Sequence, residues 1–259
     1  MKILAMDTST LVMGVAILDE THLLGEVITN QKKNHSVRLM PTVDSLLRSL
    51  GVGPGDLQMI AVAMGPGSYT GVRIGVTSAK MMAWALKIPL VGVSTLMGMA
   101  ASLGPVDGWI CPLIDARRGR VYTGLYRREG GRLRLVQKEM VVPWKEWVSR
   151  VLDPLDGPVW LTGDDLLLHQ EWAQSQLGSR LCLPDPEQRL PRPSVIGRLA
   201  LEWMGRADET GVRERWGHQG IVVAAGESIH RFVPQYLQKT EAEQNLLQKA
   251  EKLGAGRDE

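Results

Sequence analysis

Gly65-Pro66-Gly67-Ser68-Tyr69-Thr70-Gly71 stands between an apolar run, Met59–Met64, and a helix-like stretch from Val72 to Leu86. Glycines in such a place let the backbone turn with positive φ and let a ligand approach it closely. The first amides of the following helix would face outward, which makes an anion site. The phosphate-loop pattern GxxxxGK[ST] is not matched, and Arg73 is the nearest cation. A tight turn that lets strand and helix pack explains the same glycines and is the plainer reading. A phosphate-binding turn through Gly65, Gly67 and Ser68 stays open beside it.

Asp7, with Ser9 after it, and Asp115, with Arg117 after it, each end a short apolar run. Carboxylates so placed hold Mg²⁺ against phosphates, so Asp7, Ser9, Asp115 and Arg117 join the glycine turn as candidate nucleotide contacts. Each Asp can equally satisfy the amides of its own turn. No metal site is expected. A two-histidine site on one helix face needs a second His at i+4; His35 has Leu39 there, and His22, His169, His218 and His230 share no ligand spacing with it. His35 therefore reads as a capping or packing residue. Ser9, Ser36, Ser68 and Ser94 lack the GxSxG setting of a nucleophile. Cys111 and Cys182 form no CxxC pair and no metal spacing, and read as reduced, mostly buried thiols.

A third cluster is basic. From Asp115 to Arg134 the chain carries Arg117, Arg118, Arg120, Arg127, Arg128, Arg132 and Arg134 against only Asp115 and Glu129. Such a hairpin suits RNA phosphates or an acidic protein face. A charged, solvated sheet edge that resists aggregation would look the same. The only stacking aromatics within the run are Tyr122 and Tyr126.

The elements that position these groups follow from apolar spacing. Short buried strands are expected at Ile3–Met6, Gly14–Leu18, Leu23–Thr29, Gln58–Met64 and Pro89–Val93. Leu39, Val43, Leu46, Leu47 and Leu50 recur at helical spacing after Asn34-His35-Ser36, and Ser94-Thr95 caps a helix running to Leu103. The helix from Val72 to Leu86 is apolar nearly all round, so either the core covers both its faces or another chain does. After Gly104–Asp107 the pattern restarts: strands at Trp109–Ile114, Arg120–Tyr126 and Leu133–Val142, a Trp-containing helix at Trp144–Val151, a strand at Val159–Leu161 and a final helix at Pro191–Arg206. Leu4-Ala5-Met6-Asp7 lines up with Pro112-Leu113-Ile114-Asp115, 108 positions later, which suggests two related α/β halves. The expected division is a first subdomain over 1–105, a second over 106–207 whose last helix packs back on the first, an irregular loop over 208–233, and a C-terminal segment with a charged tail over 234–259.

Composition bounds the rest. The 259 residues are 44% hydrophobic and 22% charged, ordinary for a globular protein. Thirty Lys and Arg against 28 Asp and Glu give a net charge of +2, which argues against a protein that coats nucleic acid while leaving local basic patches open. The apolar start is ended by Asp7 and cannot serve as a secretory signal. No window approaches the roughly 20 apolar residues of a membrane helix, so a cytoplasmic protein without membrane contact is expected.

Several segments taken in order resemble one family: Met6-Asp7-Thr8-Ser9, Asn34-His35-Ser36 with Leu39 and Pro41, Gly65–Val76 with Ala79-Lys80, Gly92-Val93-Ser94-Thr95-Leu96, Asp115-Ala116-Arg117-Arg118 with Val121-Tyr122, and Pro234-Gln235-Tyr236-Leu237. They resemble the TsaB (YeaZ) family of bacterial proteins required to form threonylcarbamoyladenosine (t6A) in tRNA. The resemblance is dense over residues 1–126, patchy to 205 and present again at 234–237. It implies the actin-like, sugar-kinase-like ATPase fold (ASKHA, ribonuclease H-like), with two α/β halves and a cleft between them. It also implies an accessory, non-catalytic subunit acting with the paralogue TsaD, which holds the metal and modifies adenosine 37 of tRNAs reading codons that begin with A, and with the ATPase TsaE. The paralogue's HxxxH is reduced here to His35 and Leu39. Family members pair as homodimers or with TsaD through the two helices of the first half, so the expected partner contacts are Leu39, Val43, Leu46, Leu47, Arg73, Val76, Lys80 and Met82. No cofactor is expected, with ATP or ADP contact left open. The rival readings are an active kinase-like ATPase using Asp7 and Asp115 and, against the missing HxxxH, a metalloprotease-like protein. Gly163-Asp164-Asp165 is an altered form of the family's glycine-containing turn, and the stretch from Asp208 to Ser228 departs from the family pattern.

Overall fold

Strand β1 (Lys2–Asp7) is apolar at successive positions because both of its faces are covered. Leu4 and Met6 point into a core shared with Leu39, Val43 and Val76, while Ile3 and Ala5 point into a second core with Val91, Leu96 and Ile196. The structure is a computed structural model, and it describes residues 1–31, 34–210 and 220–238. The charged tail expected over 239–259 lies outside the described residues.

After β1 the chain forms β2 (Val12–Leu18), β3 (Leu23–Asn30), helix α1 (His35–Ser49), β4 (Leu57–Ala63), α2 (Tyr69–Leu86), β5 (Leu90–Val93) and α3 (Thr95–Ser102). The helix starts are set by local chemistry. The Asn34 side chain accepts from the Ser36 amide, Ser68 from Gly71, and Ser94 from Met97; each satisfies an amide that the first helical turn leaves unpaired. The second half runs β6 (Gly108–Asp115), β7 (Arg120–Glu129), β8 (Arg132–Pro143), one α-turn α4 (Trp144–Trp147) continued by a π-turn (Val148–Leu152), β9 (Val159–Thr162), α5 (Leu166–Leu177) and β10 (Leu181–Cys182). The chain then returns through α6 (Pro193–Thr210) to β11 (Ile221–Ala224) and a 3₁₀ segment (Gly226–Arg231).

Two sheets result, in the orders β11-β5-β4-β1-β2-β3 and β10-β9-β6-β7-β8. In each half the first three strands form an antiparallel meander, and the fourth and fifth run parallel to the first. The repeat suggested by Asp7 and Asp115 is therefore a repeat of topology: both residues end the first strand of a half, Asp7 opposite Gly14 and Asp115 opposite Val121. This is the two-half actin-like fold. Helices α1 and α2 cover one face of the first sheet, and α6 packs against β1, β2 and β4 on the other. Helix α3 lies between the halves, in a core that joins Val91 and Ile3 to Ile110, Ile114 and Tyr126 of the second sheet.

Two stretches differ from expectation. The loop expected over 208–233 holds ordered elements: α6 extends to Thr210, and Ile221–Ala224 pairs antiparallel with β5. A run of four small and β-branched apolar residues beside an otherwise bare strand edge gains both hydrogen bonds and burial by pairing there. No element was expected between Asp164 and Pro191, yet α5 occupies Leu166–Leu177. Its leucines are consecutive, Leu166-Leu167-Leu168, so the helical period that would reveal it is weak.

Candidate functional site

The β1–β2 loop, Thr8–Leu11, packs directly on the glycine turn. Asp7 is buried, and its Oδ1 accepts from the Ser9 amide at 2.8 Å and the Ser9 hydroxyl at 2.6 Å. Burial raises the Asp7 pKa, while the two Ser9 bonds and nearby His35 pull it back. Across from it, the Ser68 amide donates to the Ser9 carbonyl at 2.7 Å, and the Thr8 hydroxyl donates to the Gly71 carbonyl at 2.7 Å. A methyl group on Gly67 would fall well inside contact distance of the Ser9 carbonyl oxygen, and one on Gly71 inside that of Thr8. The glycines are needed because two stretches of backbone touch. Gly65 has φ +104°, and the Gln235 carbonyl occupies the place a side chain would take. Of the candidate nucleotide residues, Asp7, Ser9, Gly65, Gly67 and Ser68 thus come together, and what they hold is each other.

The second half supplies the facing wall. The His169 Nε2 lies 3.1 Å from Asp115 Oδ1, and the Asp115 amide donates to Asp165 Oδ2 at 2.9 Å. Arg117 follows in the left-handed region, at φ 64°, and is exposed. One bond joins the walls: the Thr10 hydroxyl donates to Asp164 Oδ2 at 2.9 Å. Burial, with Asp165 and Asp7 close by, pushes the Asp164 carboxyl up to about 6. His35 Nε2 lies 2.9 Å from the Thr10 carbonyl, so this nitrogen carries the proton and donates. Among the described residues, no group of three His, Cys, Asp or Glu is arranged to hold a metal ion. Thr10, Asp164 and His169 belong to no motif in the sequence, where the altered Gly163-Asp164-Asp165 turn is the one signal pointing to this junction.

The expected partner residues are placed mostly on the inner sides of their helices. Leu39, Val43, Leu46, Leu47 and Val76 are all buried in the core under α1 and α2, so their side chains offer little surface to another chain. Helical spacing puts Leu39, Val43, Leu46 and Leu47 on one apolar stripe of α1, and that stripe faces inward. Met82 is half-buried against the same core. Lys80 is tied down, its Nζ donating to the carbonyls of His230 at 3.0 Å and Phe232 at 2.8 Å. Arg73 is exposed and donates to the Tyr69 hydroxyl at 2.9 Å. The outward faces of these helices carry other apolar groups: Val37 is 67% exposed, Met81 64%, and Met40, Tyr69 and Trp84 more than a third. A groove of about 480 Å³ runs between the helices, lined by Ser36, Tyr69, Arg73, Ile74 and Thr77 among others. Among the described residues, no helix is long and apolar enough to cross a membrane.

Comparison with known proteins gives a consistent set of relatives. Residues 22–156 match the family model "TsaD: tRNA N6-adenosine threonylcarbamoyltransferase". The chain is similar to the tRNA threonylcarbamoyladenosine biosynthesis protein TsaB of Bacillus subtilis, 42% identical over 94% of this chain and 96% of that one. It is also similar to TsaB of Escherichia coli, 34% identical over 82% of this chain and 91% of that one. Among solved structures, YeaZ from Pseudomonas aeruginosa is 28% identical and covers 91% of this chain and 99% of its own, with a TM-score of 0.68.

Proposed function

The chain belongs to the TsaB family of tRNA threonylcarbamoyladenosine biosynthesis proteins, and from that premise we propose that it works as the non-catalytic scaffold of the threonylcarbamoyl-transfer complex. Its role lies in t6A formation on tRNA. In this reading it partners TsaD, which carries the chemistry at adenosine 37 of tRNAs reading codons that begin with A; the ATPase TsaE joins them, and tRNA meets the chain within that complex. Alone, the chain pairs with a second copy of itself.

The observation that carries the non-catalytic reading is the closed glycine turn. In a nucleotide-binding version of this fold the turn amides would be free for phosphate, whereas here the Ser68 amide is bonded to Ser9 and the Thr8–Ser9 backbone fills the space over Gly67 and Gly71. Asp7, the carboxylate a kinase-like enzyme would use, is committed to Ser9. His35, the remnant of the paralogue's HxxxH, lies beside the Thr10 carbonyl, and Leu39 is core. The partner surface is then the outward face of α1 and α2, through Val37, Met40, Tyr69, Arg73, Met81 and Trp84, because these apolar and cationic groups of the two helices are left in solvent.

The test is reconstitution. Purified TsaD and TsaE partners, threonylcarbamoyl donor and unmodified tRNA are incubated with and without this chain, and t6A is scored. Modified tRNA should form only when the chain is present. Equal product without it would sink the reading, and ATP turnover by the isolated chain would favour the kinase-like alternative.

A further inference from the structure

The basic hairpin has a face that the helices of the second half leave bare. Cross-strand pairing puts Trp109 of β6, Arg127 of β7 and Arg134 of β8 in one row, and Glu129 opposite Arg132 in the next row on the same face. Further along that face Leu125, Leu113 and Cys111 are buried with Trp147 and Leu166 of the covering helices. Past Leu125 the cover stops, and Arg127, Glu129, Arg132 and Arg134 are exposed. Arg127 Cζ lies 4.4 Å from the centre of the Trp109 ring, and its Nε is 2.6 Å from Glu129. The indole is fixed in turn by donating to the Asp156 carbonyl at 2.9 Å. Among the described residues, Arg132 and Arg134 form no ion pair.

A charged sheet edge that only repels neighbours does not require this arrangement. Arg127 and Arg134 stand directly opposite one another, a like-charge pairing that weakens a sheet, and Arg127 at the same time covers the Trp109 ring. We infer that this open end of the second sheet contacts RNA, with Arg132 and Arg134 on phosphates and the Arg127–Trp109 stack receiving an unpaired base. The inference rests on the reading of the chain as a t6A protein, and it adds a direct contact by this chain to the tRNA of the complex.

Binding of an unmodified tRNA transcript to the full chain is followed by fluorescence anisotropy between about 50 and 200 mM salt. The double variant Arg132→Ala/Arg134→Ala should bind at least about tenfold more weakly and lower the log–log salt slope by about 2. Arg48→Ala/Arg150→Ala removes the same charge from exposed helix positions and should change affinity by less than about twofold. An equal loss in both double variants, no binding by the wild-type chain, or unchanged binding by Arg132→Ala/Arg134→Ala would each overturn the inference. A double variant that keeps tRNA affinity but no longer associates with TsaD would make the face a protein contact and overturn it as well. The t6A assay separates the two proposals: if modification needs the chain while the double variant binds tRNA normally, this inference fails and the scaffold reading stands.

Discussion

The Thr10 hydroxyl donates to Asp164 Oδ2 at 2.9 Å, so the first loop of one half is bonded to the loop after β9 of the other. The two residues are 154 positions apart, and the bond sits where Asp7 and Asp165 also crowd the Asp164 carboxyl.

That crowding sets a pH dependence. Burial beside Asp165 and Asp7 pushes the Asp164 carboxyl from its ordinary 3.8 up to about 6 in the folded chain, so the folded state holds this proton more tightly. Its contribution favours folding at low pH and is lost as pH rises from about 4 to about 6. Asp164→Asn keeps an oxygen for Thr10 and removes the charge. Relative to wild type, the variant should gain stability across that window, by about 1–3 kcal/mol at neutral pH. Urea unfolding of both proteins at several pH values checks it. Stability curves that stay parallel would count against the assignment.

Core and surface on the partner helices should separate cleanly. Leu47 is 5% exposed in the core, so Leu47→Ala should cost about 2–4 kcal/mol through the cavity it leaves. Met81 is 64% exposed, and Met81→Glu should leave the melting temperature within a few degrees while weakening association with TsaD. Thermal melts and sizing chromatography of the mixed proteins read the two effects. Intact association by Met81→Glu together with Trp84→Glu would remove the outward face of α2 from the interface.

The closed glycine turn makes a similar demand. Gly67→Ala places a methyl against the Ser9 carbonyl oxygen, which is backbone and cannot swing aside. The variant should lose about 2 kcal/mol or more of stability, because overpacking between two fixed backbones is relieved only by moving them. A shift in urea midpoint measures it. Gly53→Ala, where the nearest atom is 3.5 Å away, serves as the control and should change little.

What was legible in the sequence was local. Strand β1 and strand β4 are read from apolar runs bounded by turns, and the helix starts at Asn34 and Ser94 from side chains that bond their own first turns, whereas the cap Ser68, one residue before α2, is hidden inside the glycine turn. The likeness of Asp7 to Asp115 foretold the repeat because each half rebuilds the same meander. The direction of the helix stripes was not legible in this way. Leu39, Val43 and Leu47 form a stripe that serves equally for a core or an interface, and only the closed sheet shows which. Nor could spacing predict Thr10 with Asp164, since that bond depends on how the halves close. Strand β11 hid in a glycine-rich stretch because its partner, β5, lies more than a hundred residues earlier.

The last prediction concerns a junction that holds three segments at once. Glu139 of β8 accepts from the Ser94 hydroxyl, from the Tyr126 hydroxyl and, at 3.3 Å, from the Gln235 amide. It thereby ties the start of α3, strand β7 and the C-terminal segment together. Burial raises its pKa, and the three donors lower it again. Glu139→Ala would leave the buried Tyr126 hydroxyl and the Ser94 hydroxyl without their acceptor, so it should cost about 2–4 kcal/mol. Glu139→Gln keeps a carbonyl oxygen for both hydroxyls. Its new amide can donate to Gln235 Oε1, which is buried and has no partner among the described residues. That variant should therefore stay within about 1 kcal/mol of wild type. Urea unfolding ranks the three proteins. If Glu139→Gln is as damaging as Glu139→Ala, the negative charge rather than the acceptor oxygen holds the junction, and the hydrogen-bond account of it fails.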